Sequence, residues 1–114
     1  MKVIMNGTII LKDNFSDGEK RSNVIDKLRE IFPCACIEEM NNVVITLTWM
    51  CDDYDDDKTM EGLNSIKDAF LFVSIDFVSF GFKQIWHVGM EDDELYVEDC
   101  YIESIPDTRI KYRP

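Results

Sequence analysis

An α+β fold, a mainly antiparallel sheet with two helices packed on one face, is what three features of the sequence predict. Two stretches carry apolar residues at helical spacing, the stretches around them alternate with period two, and only short turns or loops join them. The expected element order is β(β)αββαββ. No low-complexity or Pro/Gly-rich linker divides the 114 residues, so 1–114 reads as a single domain.

The elements follow in order. Val3, Met5, Ile9 and Leu11 share one parity, and Ile4 and Ile10 share the other. Asn6-Gly7 sits midway and is a strong hairpin signal, so two short strands or one long strand are both open. Ser16 and Glu19 have capping-box spacing, and Val24, Leu28 and Ile31 then recur helically with Ile25 and Phe32 beside them. That predicts a helix over 17–32, stopped by Pro33. Residues 35–39 and 43–50 read as a hairpin turned at Asn41-Asn42, rich in β-branched residues. A second helix is expected from about Thr59, with Leu63, Ile66, Phe70 and Val73 as its buried stripe. The run 70–78 also reads as strand, so the end of that helix stays open. Phe80, Phe82, Trp86 and Val88 share a parity in a long strand, with Phe77, Ile85 and His87 expected on its other face. An acidic turn over 89–94 leads to a last strand, 95–105, whose acids fall on both faces, as on a sheet edge.

Composition bounds the class. Twelve Lys and Arg against 23 Asp and Glu give a net charge of −11, yet 46% of residues are apolar, including seven Phe, four Tyr and two Trp. A disordered acidic chain lacks such core material. The opening MKVIMNGTIIL has no secretory pattern, and the longest apolar run, 69–75, is too short to span a bilayer. The protein is therefore expected to be cytoplasmic, with Cys34, Cys36, Cys51 and Cys100 as reduced thiols.

Catalytic signatures are sparse. The chain's one histidine, His87, has no Ser or Cys placed beside it by the sequence, and there is neither a P-loop nor a GxGxxG motif. Cys34 and Cys36 are spaced for one strand face, not for a zinc knuckle. Asp53, Asp55 and Asp57 alternate as at an EF-hand start, but Lys58 and Asn64 occupy the positions that need Gly and Glu. No metal, cofactor or catalytic residue is expected.

The distribution of charge is more informative. Between Glu30 and Lys58 there is no base, but there are seven acids: Glu38, Glu39, Asp52, Asp53, Asp55, Asp56 and Asp57. Between Lys83 and Arg109 there is again no base, but there are eight acids: Glu91, Asp92, Asp93, Glu94, Glu98, Asp99, Glu103 and Asp107. Bases gather on the first helix and in the tail. Uncompensated carboxylates keep a protein soluble but weaken its fold by mutual repulsion. Their density invites comparison with the phosphates of duplex DNA, about one charge per 1.7 Å of axis. Direct binding to nucleic acid or to an anionic membrane is disfavoured.

In size, charge and lack of catalytic motifs the chain is similar to the acidic DNA-mimic inhibitors of phages and mobile elements, including anti-CRISPR and anti-restriction proteins. No motif is shared, so no site transfers. The likeness implies a small intracellular inhibitor whose partner is a basic, nucleic-acid-binding protein. The expected interface is Asp52, Asp53, Tyr54, Asp55, Asp56, Asp57, Glu91, Asp92, Asp93, Glu94, Tyr96 and Glu98, with Tyr54 and Tyr96 as aromatic anchors. An immunity protein or antitoxin against a basic toxin meets the same description. A different class, an enzyme or small-ligand domain, would need a pocket with converging polar groups near His87 or the cysteines.

Overall fold

A computed structural model of the chain describes residues 2–33, 35–51, 54–79, 81 and 84–101, with residues 100 and 101 as backbone only. The elements are β1 (Val3–Leu11), α1 (Gly18–Ile31), β2 (Cys36–Glu39), β3 (Val44–Cys51), α2 (Asp56–Ser65), β4 (Phe70–Ser79), β5 (Gln84–Glu91) and β6 (Glu94–Tyr101). Short 3₁₀ turns precede α1 and β4. All pairings are antiparallel, in the order β2-β3-β1-β4-β5-β6. The α+β expectation holds. One strand stands ahead of α1, the single-strand reading of the start, and three strands rather than two follow α2.

The start is one strand, and Gly7 shows why. A Cβ there would lie 2.7 Å from Ile75 Cγ1 and 3.0 Å from Ile75 Cα, so glycine serves close strand packing and not a turn. β1 lies between β3 and β4. Each helix therefore carries the chain over one intervening strand: α1 from β1 across β3 to β2, and α2 from β3 across β1 to β4.

Both helices cover the same sheet face. Val3, Met5, Ile9, Leu11, Ile45, Leu47, Ile75, Phe77, Trp86 and Val88 are buried with Val24, Ile25, Leu28 and Leu63 of the helices. Gly62 allows the helices to approach, since a Cβ there would meet Ile31 Cγ1 at 2.6 Å.

Several local expectations change. No side chain caps α1 from Ser16. Asp17 takes the N-cap position, and the Ser16 hydroxyl donates to the Asp13 carbonyl at 2.6 Å. α2 starts at Asp56 rather than Thr59, because Asp55 caps it by accepting from the Lys58 amide at 3.1 Å. α2 also ends at Ser65, and Phe70–Ser79 is strand. The register slips between Ile10 and Leu11, which pair with Phe72 and Phe70, leaving Leu71 as a bulged, exposed residue.

The long-strand reading across 80–88 fails for a related reason. Chain reversal between β4 and β5 resets parity, so Phe77 and Trp86 pair directly and share the buried face, their rings stacked 5.4 Å apart. Phe80 and Phe82 lie outside the described residues. The acidic turn is tighter than expected. Only Asp92 and Asp93 form the loop, both in the left-handed region (φ 53° and 64°) as in a two-residue hairpin. β6 is an edge strand, as expected, and residues 102–105 of the expected strand lie outside the description.

Candidate interaction surface

The strand directions sort the acids into two groups. Cys51, the last residue of β3, pairs with Val3 at the sheet end where β5 begins, so Asp55, Asp56 and Asp57 lie at that end. The Asp92-Asp93 turn lies at the other end, seven residues of β5 away, or about 23 Å. The two acidic segments therefore do not merge into a single cluster.

β6 connects them as a line. Glu94, Glu98 and Asp99 step along this edge strand, and Asp99 lines a small cavity with Asp56, Gln84, Trp86 and Val97. The stripe thus runs from Glu91 and Asp92, through Glu98 and Asp99, to Asp56 at the start of α2. None of these five carboxylates has an ion pair among the described residues. At the turn, Lys67 meets Glu94 at 2.6 Å and Lys12 meets Asp93 at 3.7 Å. Glu98 shares the uncovered face with His87, and Asp99 the helix-covered face with Trp86, so the five carboxylates follow the sheet edge on both its sides. They average about one per 6 Å over roughly 23 Å, more sparsely than the about 3.4 Å between charges along one DNA strand.

The other expected site residues fall differently. Asp52 and Asp53 lie outside the described residues. Asp55 and Asp57 are exposed, but Asp55 is also the α2 cap, so a charge reversal there perturbs the fold as well as the surface.

Tyr54 is not a surface anchor. It is 7% exposed, with ring centroids 6.1 Å from Trp49, 5.2 Å from Phe77 and 5.5 Å from Trp86. Burial first, then the Asp56 charge, pushes its phenol well above the ordinary tyrosine pKa. Its hydroxyl donates to Asp56 Oδ1 at 3.1 Å. The Trp86 indole N–H is buried beside this hydroxyl and makes no hydrogen bond of good geometry.

Tyr96 is exposed on the sheet face that the helices leave uncovered. It lies over Gly89, where a Cβ would come within 2.4 Å of its hydroxyl oxygen. That face holds a feature the sequence reading missed. Cross-strand register sets Cys36, Thr48, Asn6, Asp76, His87 and Glu98 side by side in one row across all six strands.

Within the row, His87 Nδ1 lies 2.7 Å from Asp76 Oδ1. A carboxylate only accepts, so Nδ1 carries the proton. No hydroxyl or thiol among the described residues hydrogen-bonds His87. Cys36 and Cys51 stand on opposite faces of the sheet, and no group of three His, Cys, Asp or Glu among the described residues is arranged to hold a metal.

Lys12 and Lys67 lie at the acidic turn and Lys58 in α2, while four other bases gather on α1. Lys20, Arg21, Lys27 and Arg29 belong to α1. Arg21 ties that helix to the β2–β3 hairpin, donating to the carbonyls of Asn42 (3.1 Å) and Asn41 (3.2 Å) and pairing with Glu39. A groove of about 450 Å³ between α1 and α2 is lined by charges of both signs, Lys27, Lys58, Glu30 and Glu61 among them, and offers no acidic focus. No described helix is long and apolar enough to cross a membrane. No family model, curated protein or solved structure gives a significant match to this chain.

Proposed function

We propose that this protein acts by binding rather than catalysis, as a small acidic inhibitor that occupies a basic, nucleic-acid-binding surface of another protein. A nuclease or a defence complex of the anti-CRISPR or anti-restriction kind is the target class. The observation that carries this reading is the line of carboxylates without ion pairs at the β6 edge, Glu91, Asp92, Glu98, Asp99 and Asp56, with four bases held apart on α1. The backbone of the turn supports it. Asn-Gly suits two left-handed positions better than Asp92-Asp93, so the acids are kept at a cost to stability. Such a field speeds association with a basic partner and loses strength with salt.

An immunity protein or antitoxin against a basic nuclease toxin would use the same stripe and differ only in the identity of the partner. The test is capture of partners from host cells at low and high salt, with a Glu98→Lys, Asp99→Lys variant as control. The captured protein should be basic, should lose nucleic-acid binding when the inhibitor is added, and should be released by salt. Equal capture by the charge-reversed variant would refute the proposal.

A further inference from the structure

Helices cover one face of the sheet, and among the described residues none covers the other. An antiparallel sheet facing water ordinarily turns polar residues outward. Here Met50 is 62% exposed, Phe72 45%, Ile4 38% and Tyr96 37%.

The ladder arranges these side chains in rows. Met50, Ile4, Val78 and Ile85 are successive cross-strand neighbours at one end, and Val44, Ile10 and Phe72 form a second apolar row at the other. Between them runs the polar row containing Asp76, His87 and Glu98. The strands place no Lys or Arg on this face, and Glu38 and Glu91 add further negative charge.

We propose that this uncovered face is the docking floor for a basic, amphipathic segment of a partner protein, with its apolar side chains on the two apolar rows and its Lys or Arg side chains over Asp76 and Glu98. This rests on the acidic-inhibitor reading and extends its interface from the β6 edge onto the sheet, since Glu98 belongs to both. Charge complementarity selects the occupant. A nucleic acid would meet only repulsion, and a second copy would bring Asp76 and Glu98 against their own kind. A simple polycation would leave the apolar rows wet. Five inter-strand spacings of about 4.8 Å and a strand length of about 23 Å give roughly 550 Å² in projection. With the edge stripe added, this approaches the ~800 Å² per partner of a standard interface.

The test is an amide-resolved NMR titration of the full chain with two defined probes: an octapeptide alternating Lys and Val, and tetralysine, which carries the same number of side-chain charges. The alternating peptide should bind at least tenfold more tightly and shift amides around Ile4, Phe72 and Ile85. Met50→Ser with Phe72→Ser should remove that preference while leaving tetralysine binding and thermal stability unchanged, since both side chains are exposed. Equal affinity for the two probes, no binding by either, or shifts confined to the Asp92-Asp93 turn would overturn the docking floor. Concentration-dependent broadening of the same amides without peptide would assign the face to a second copy. The same shifts on cutting the chain after Tyr101 would assign it to the chain's own C-terminal segment. Either result overturns the proposal. If Glu98→Lys with Asp99→Lys leaves both affinities intact, the acidic reading itself fails.

Discussion

Replacing Tyr54 separates a core residue from an interface residue. Tyr54→Ala removes a ring that contacts Trp49, Phe77 and Trp86 and is 7% exposed. Large aromatic-to-alanine changes in cores cost about 3–5 kcal/mol. Against a total stability of about 5–15 kcal/mol, this is a large share, equivalent to a fall in Tm on the order of 15 °C or more for a chain of this size. Tyr54→Phe keeps the ring and loses only the hydrogen bond to Asp56, worth about 1 kcal/mol. The pair also predicts a pH dependence. Burial raises the Tyr54 pKa in the fold, so between the ordinary value near 10 and the raised one the folded state binds more protons than the unfolded chain. The neutral phenol's contribution is therefore complete below about pH 10 and is lost as pH rises above it. Urea titrations of wild type and Tyr54→Phe at pH 8 and pH 11 measure this, and the wild type should lose more stability on going to high pH. A Tyr54→Ala protein with wild-type stability, or equal alkaline losses in both proteins, would refute the packing argument.

Four further outcomes follow from other contacts. Gly7→Val should destabilise by about 1–3 kcal/mol through overpacking against Ile75, and Ile75→Ala should recover part of that in the double variant, as read by urea midpoints. Asp93→Gly should stabilise by about 0.5–1 kcal/mol by relieving a left-handed aspartate, more than offsetting the loose Lys12 pair; a lower midpoint would contradict the turn geometry. Asp55→Ala should cost about 1 kcal/mol through loss of the α2 cap, visible in thermal unfolding. Arg21→Ala should speed amide exchange in β2 by roughly tenfold with little change in β1 and β4, since Arg21 binds the β2–β3 turn and not the core.

Periodicity alone identified α1, the alternation of residues 3–11, the β2–β3 hairpin and the two-helix layer, while Asn6-Gly7 left one strand or two open at the start. In each of these, one face must be apolar at a fixed interval, and that constraint is written into neighbouring residues. The same logic failed where local spacing was ambiguous. Phe70 and Val73 are three apart, which imitates a helix, but a bulge at Leu71 produces that spacing in a strand. Phe77 and Trp86 have opposite parity, yet they stack, because the turn between their strands resets the face. Acid enrichment was legible too, but its shape was not. Strand direction sends the Asp55–Asp57 and Asp92–Asp93 segments to opposite ends, and only the edge position of β6 joins them into a stripe. Tyr54 looked like an anchor because its neighbours in sequence are charged, and the fold buries it among aromatics from three strands, Trp49, Phe77 and Trp86. The row from Cys36 to Glu98 draws one residue from each of six strands, so sheet order and register, both set by long-range pairing, had to exist before that surface did.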